Sequence, residues 1–84
     1  MDKLIKSNII MENFKIYLLQ GKYIKAEEIC KNIDNNSIKD MIMNIAYETE
    51  NICVYSFTQY MIQRTKKIYW IELAIDLMLH PYYQ

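Results

Sequence analysis

The amino-acid sequence predicts an all-α fold, a compact bundle of about five helices packed in antiparallel hairpins. Apolar residues recur at helical spacing through most of the chain. Glycine and proline occur once each, so the only strong breaks in this pattern are Gly21, the Asp34–Asn36 stretch and Pro81. The chain has 84 residues, the size of one small domain. We therefore expect a single helical domain over residues 1–84.

The first two predicted helices meet at Gly21 and form an αα-hairpin. The glycine follows the last periodic residue of the first helix, where a left-handed backbone commonly ends a helix. The apolar stripes comprise Leu4, Ile5, Ile9, Phe14, Tyr17 and Leu18, then Ala26, Ile29, Cys30 and Ile33, while Lys22, Lys25, Glu27, Glu28 and Lys31 are expected to face away. The string Gly21–Ile33 is similar to the start of the second helix in a tetratricopeptide (TPR) repeat, which predicts a TPR-like hairpin with close approach at Ala26.

Three further helices are predicted after this hairpin. Ser37 is expected to cap the third helix, with Asp40 completing an acidic form of the capping box, and the helix to run to about Glu48. The helix after Asn51 is apolar around nearly its whole circumference, so we expect it to be central and the most buried. The core stripes expected in the third and fifth helices are Ile38, Met41, Ile42, Ile45 and Ala46, and Trp70, Leu73, Ala74, Leu77 and Met78, with a turn at Lys66 and Lys67.

Composition narrows the functional classes. Ten basic residues balance ten acidic residues, so the basic excess typical of a nucleic-acid or membrane-surface binder is missing. Cys30 and Cys53 lack metal-ligand spacing, which favours free thiols in a reducing compartment. The N-terminus does not resemble a signal peptide, and the most apolar segment, Ile68–Leu79, is too short to span a bilayer and contains Glu72 and Asp76. We expect a cytoplasmic protein.

Side chains suited to catalysis are scarce. His80 is the only histidine, and its place beside a proline at a helix end favours interaction with the helix dipole. Glu48 and Glu50 would point about 200° apart on a continuous helix and could not share a proton or a metal ion. Phosphate-binding loops and the common hydrolase motifs are missing. The sequence therefore predicts no enzymatic activity and no catalytic, cofactor-binding or metal-binding residues.

The second half of the sequence resembles a family of small all-helical immunity proteins that protect bacteria from polymorphic and contact-delivered toxins, including toxins with EndoU-type nuclease domains. Two strings carry the resemblance, AYETENICVYSFTQYMI (Ala46–Ile62) and ELAIDLMLHP (Glu72–Pro81). Its most specific part is Tyr47–Glu50 followed by Val54–Phe57, and it covers about residues 11–81. Members of that family continue past the His-Pro position into further helices, which leaves open whether this is a shortened member.

The resemblance implies inhibition by binding, in which the protein docks on a cognate toxin and covers its active or functional surface. Nuclease clefts are basic, so exposed carboxylates would pair with them and speed association. Tyrosine supplies a large contact area at low entropy cost. The candidate partner-binding residues are Tyr47, Glu48, Glu50, Asn51, Tyr55, Glu72, Asp76 and Tyr82, with Tyr69 and Tyr83 as further candidates if exposed.

Two alternatives remain. The chain would also suit a small TPR-like or phage-encoded helical adaptor or inhibitor that binds another bacterial protein. A helical nucleic-acid binder is disfavoured by the zero net charge.

Overall fold

Five α-helices form the regular structure of the computed structural model, which describes the backbone of residues 2–80 and the side chains of residues 9–80. No strand occurs in that range, so the predicted all-α fold with five helices is confirmed. The helices are α1 (Asp2–Leu19), α2 (Tyr23–Cys30), α3 (Asn35–Thr49), α4 (Ile52–Thr65) and α5 (Ile68–Met78).

Helix α4 lies at the centre, as predicted, because it packs against each of the other four helices. Its Phe57 is fully buried and contacts rings from three other helices. The ring centroids of Phe14 and Trp70 both lie 5.7 Å from that of Phe57 in edge-on geometry, and Tyr23 lies at 5.6 Å. Such aromatic pairs each contribute about 0.5–1.5 kcal/mol beyond their buried area. Buried side chains from all five helices meet in this one core.

Gly21 ends α1 and starts the α1–α2 hairpin, as the sequence predicts. Its φ is +75°, in the left-handed region that glycine adopts at little cost. The amide of Lys22 donates to the carbonyl of Tyr17 at 2.8 Å, and the amide of Gly21 donates to Leu18 at 3.1 Å. These two bonds form a Schellman motif. They satisfy carbonyls at the end of α1 and reverse the chain into α2.

The predicted cap of α3 is wrong by three residues. The helix begins at Asn35, and its N-cap is Asp34, not Ser37. The Asp34 carboxylate accepts from the Ser37 amide at 3.1 Å and from the Ser37 hydroxyl at 2.8 Å. The hydrogen bond from the Ser37 hydroxyl is the largest cause that lowers the pKa of Asp34. Asp34 is the N-cap because its carboxylate lies three residues before a backbone amide that has no hydrogen-bond acceptor inside the helix.

Three predicted side-chain positions are also wrong. Ile9 was expected in the core but is 55% exposed. Helix α1 has 18 residues and α2 only 8, so α2 covers only about the last 12 Å of a helix about 27 Å long. Met78 is 48% exposed on the outward side of α5. Glu27 was expected to face solvent but is 8% exposed, because two side chains of α4 hydrogen-bond its carboxylate. The side chains of Leu4 and Ile5 lie outside the described range.

Candidate protein-binding surface

The segment Tyr47–Asn51 joins α3 to α4 and is built mainly from helix ends. Glu50 has a φ of +47° and ends α3, with its amide donating to the carbonyl of Ala46 at 2.9 Å. Asn51 is the N-cap of α4, and its side-chain oxygen accepts from the amide of Cys53 at 2.8 Å. Helix α3 therefore ends at Thr49, close to the expected end at about Glu48, and α4 begins after Asn51 as expected. The capping side chain belongs to Asn51.

Two other residues of this segment contact neighbouring helices. The Lys15 ammonium lies 2.6 Å from the Glu48 carboxylate and joins α1 to α3. Hydrogen bonding to Glu48 raises the pKa of Lys15. Tyr47 is 57% exposed, and its ring centroid lies 4.8 Å from that of His80, beyond the end of α5. Tyr47 therefore offers aromatic surface, whereas Glu48 already has a cationic partner.

Helices α3 and α5 run parallel, which places several candidate residues along one side of the molecule. Three contacts advance along both helices in the same direction. The Tyr69 hydroxyl donates to the Asn35 carbonyl at 2.6 Å, and the Lys39 ammonium lies 3.2 Å from the Asp76 carboxylate. The Tyr47–His80 ring contact is the third. The structure thus brings Tyr47, Glu72 and Asp76 onto the α3–α5 side, with exposed Glu72 beside Tyr69 and Asp76 in a shallow groove.

The remaining candidate tyrosines differ in how they are placed. Tyr55 is half-buried and packs against the core from α4. Tyr69 is half-buried, and burial is the largest cause that raises the pKa of its phenol to about 12. Tyr82 and Tyr83 lie outside the described residues. Among the candidate tyrosines that the structure describes, Tyr47 alone is more than half exposed.

The largest exposed apolar feature of α5 is one that the sequence interpretation missed. Five residues of α5 and its C-cap are 42–72% exposed. They follow one another at i, i+3, i+7, i+10 and i+11, the spacing of one helix face. We call them the outer stripe; its members are Ile68, Ile71, Ile75, Met78 and Leu79. The sequence did contain a signal for the outer stripe. The segment Ile68–Leu79 is apolar on the core side of α5 and also on the opposite side.

Glu72 and Asp76 lie along one edge of the outer stripe. They are one turn apart on α5, between the outer stripe and helix α3. Asp76 is paired with Lys39, and Glu72 makes no ion pair with any described residue. The surface therefore consists of an apolar row bordered on its α3 side by carboxylates.

A second polar cluster lies between α2 and α4. The Glu27 carboxylate accepts from the Tyr60 hydroxyl at 3.0 Å and from the Arg64 guanidinium at 3.3 Å. Nearly complete burial of a carboxylate is tolerable because both donors compensate its lost hydration. The role of this cluster is to fasten α2 to α4.

The two cysteines are free thiols. Cys30 is buried, and burial, followed by the charge of Glu27, raises its pKa to about 12. A thiol with so high a pKa remains protonated and is a poor nucleophile. Within the described residues, no three side chains of the His, Cys, Asp and Glu types lie close enough to hold a metal ion. None of the described helices combines the length and apolar character needed to cross a membrane.

Comparisons of the chain with protein-family models, with curated proteins and with solved structures found no match.

Proposed function

We propose that this chain is an immunity protein that binds a cognate bacterial toxin, a nuclease, and occludes its active or functional surface. The observation that carries the proposal is the outer stripe of α5 with its acidic edge. The largest apolar patch on a typical monomer is roughly 300–600 Å² and is often functional. The outer stripe is an exposed apolar patch of this type, because it is a continuous row of five side chains that are each 42–72% exposed. It therefore favours a protein-binding role.

The chemistry of the surface suits a nuclease as the partner. Removing the outer stripe from water supplies a favourable free energy of association. Nucleases bind phosphate with basic clefts, so the carboxylates of Glu72 and Asp76 would be attracted to such a surface and fix the orientation of the complex. Tyr47, on the same side of the molecule, adds aromatic contact area. Binding there would block the cleft without any catalytic step by this chain.

The resemblance of the second half of the sequence to toxin-immunity proteins supports the choice of a toxin as the partner. That resemblance includes the string Glu72–Pro81, which also contains both carboxylates of the acidic edge, Glu72 and Asp76, and three members of the outer stripe, Ile75, Met78 and Leu79. The same segment therefore suggests both the class of partner and the surface that binds it.

The immunity proposal predicts that the gene just upstream of this chain encodes the toxin, and the direct test is inhibition of the protein encoded there. We expect its purified nuclease activity to fall in proportion to added chain and to vanish at one-to-one stoichiometry. The complex should also elute as one species in size-exclusion chromatography. Full nuclease activity in the presence of excess folded chain would overturn the proposal.

A matched pair of variants tests the location of the surface. Ile75 in the outer stripe and Ile24 on α2 are each more than half exposed, so replacement of either by Glu should leave the fold intact. Ile75→Glu should weaken inhibition about 100-fold or more, as expected for a residue at the centre of an interface. Ile24→Glu should inhibit like the unmodified chain. Equal inhibition by both variants, with unchanged circular dichroism spectra, would remove the outer stripe from the interface.

A second candidate function is a TPR-like or phage-encoded adaptor that binds another bacterial protein. The α1–α2 hairpin favours it, because Gly21 makes the turn and Ala26 is fully buried where the helices approach. An upstream gene product that lacks nuclease activity, yet binds the chain and loses that binding with Ile75→Glu, would favour the adaptor over the immunity protein.

A further inference from the structure

The outer stripe of α5 also indicates the shape and charge of the element that covers it. We propose that this element is an amphipathic α-helix of the partner whose apolar row is flanked by lysine or arginine residues. The inference rests on the proposed function, because it describes how the toxin would present itself to this chain.

The geometry of the stripe favours a helix. From Ile68 to Leu79 the stripe follows α5 for about 17 Å, at 1.5 Å per residue. Side chains spaced by three and four residues form a ridge, and a second helix presents grooves of the same spacing that accept such a ridge along its whole length. Strand addition needs an exposed sheet edge, and the described residues contain no strand. An amphipathic helix therefore buries more of the stripe than an extended segment.

The edge of the stripe favours a basic partner. Glu72 is exposed and makes no ion pair with any described residue. Asp76, one turn later, keeps 39% of its side-chain surface exposed while paired with Lys39. A carboxylate beside an apolar row selects a cation at the flanking position of the opposing helix, as charges beside the apolar seam of a coiled coil do.

A second copy of the chain fits this edge poorly. In an antiparallel pair of α5 helices related by a two-fold axis, the same flank of each helix lies on the same side of the pair. Glu72 and Asp76 of one copy would then face Glu72 and Asp76 of the other, and juxtaposed like charges oppose association. The acidic edge therefore disfavours an antiparallel pair of copies and favours a chain with a basic flank.

Two designed helical peptides test the proposal. Both have the same leucine row at heptad a and d positions, and one carries lysine and the other glutamate at the flanking e and g positions. In fluorescence anisotropy titrations at low ionic strength, the chain should bind the lysine peptide about tenfold or more tightly than the glutamate peptide. Equal affinity for the two peptides, or no binding of the lysine peptide, would overturn the proposal.

Variants of the chain locate the binding site of the peptides. Ile75→Glu should abolish binding of the lysine peptide, whereas Ile24→Glu should leave it unchanged. Glu72→Lys should reduce or reverse the preference for the lysine peptide over the glutamate peptide. A preference that Glu72→Lys does not alter would overturn the assigned edge. A dimer in sedimentation experiments that Ile75→Glu dissociates would show that a second copy covers the stripe, and would also overturn the proposal.

The outcomes separate this inference from the proposed function. Inhibition of the nuclease without binding of either peptide would contradict the helical, basic partner and leave the immunity function standing. Binding of the lysine peptide with the expected response to the variants, but no inhibition of the upstream toxin, would contradict the immunity function instead.

Discussion

The two faces of α5 are both apolar but have different surroundings. The inner face consists of Trp70, Leu73, Ala74 and Leu77, none more than 5% exposed, whereas every member of the outer stripe is at least 42% exposed. Helices α3 and α4 pack against α5 and cover the inner face, while the outer stripe has no comparable cover within the described residues. Under the proposed function, the inner face stabilises the fold and the outer stripe binds the partner. Measurements of stability should report on the inner face, and measurements of binding on the outer one.

A pair of alanine substitutions on α5 should give the largest contrast in stability. Leu73→Ala removes a side chain that is 2% exposed and should lower the free energy of unfolding by about 2–5 kcal/mol. Ile75→Ala truncates a side chain that is 54% exposed, and should change it by about 0.5 kcal/mol or less. Urea denaturation followed by circular dichroism measures both. Similar losses in the two variants would mean that something already covers the outer stripe.

Asn51, at the α3–α4 junction, is a candidate binding residue whose side chain caps α4, so its replacement should affect stability and leave binding unchanged. Asn51→Ala removes the bond to the Cys53 amide and should lower the free energy of unfolding by about 1 kcal/mol. In a domain of this size the melting temperature should fall by about 4–8 °C. Inhibition of the toxin should be unchanged at temperatures where the variant is folded.

Asn51→Asp is the matched control, because a carboxylate also caps a helix well and should restore most of the stability. If Asn51→Ala instead weakens inhibition while the melting temperature stays constant, Asn51 belongs to the interface and the junction has a binding role.

Local sequence features predicted the fold better than the contacts and exposure of individual side chains. The turn at Gly21 follows from the backbone freedom of glycine. The distribution of apolar residues within each segment accounts for the turn at Lys66 and Lys67 and for the central position of α4. The burial of Glu27 depends on Tyr60 and Arg64, which are 33 and 37 residues away in sequence. No local pattern reveals such a partnership, so the expectation of an outward-facing Glu27 was wrong.

The outer stripe shows the same limit of local patterns. Helices α4 and α5 are both apolar around most of their circumference, but α4 packs against four helices and α5 mainly against α3 and α4. Periodicity identifies an apolar face without identifying what covers it. The ion pairs of Glu48 with Lys15 and of Asp76 with Lys39 likewise depend on tertiary packing. Local patterns do not reveal these pairs, so the sequence analysis included both carboxylates among the candidate partner-binding residues.

Lys39 lies at the boundary between α3 and the acidic edge of the stripe, and its removal should strengthen binding. Lys39→Ala removes the cation that pairs with Asp76 at 3.2 Å and leaves this carboxylate for a basic partner. We expect the lysine-flanked peptide to bind about 2–5-fold more tightly, the size of effect that one exposed charge pair gives. Anisotropy titrations measure the change.

Lys15→Ala is the control for Lys39→Ala. It removes the cation that pairs with Glu48, a carboxylate on α3 that faces α1 and lies away from the stripe. Its effect on peptide affinity should be smaller than that of Lys39→Ala. Equal tightening by the two variants would indicate a response to net charge and would remove Asp76 from the edge that contacts the partner.

Tyr69 fastens α5 to α3 through a hydrogen bond whose contribution should depend on pH. Its hydroxyl donates to the Asn35 carbonyl at 2.6 Å, and burial is the largest cause that raises its pKa to about 12. An unfolded tyrosine has a pKa of about 10. Because the folded state holds the proton more tightly, this contribution to stability is complete below about pH 10 and is lost as the pH rises through about 12.

Tyr69→Phe should therefore be less stable than the unmodified chain at neutral pH, because the hydrogen bond to Asn35 is lost, but should lose less further stability on moving to about pH 11. Urea unfolding midpoints at both pH values measure the two slopes, and the raised pKa values of Tyr23, Tyr60 and Cys30 contribute a background in both proteins. Identical slopes would mean that the Tyr69 phenol does not hold its proton more tightly in the folded state.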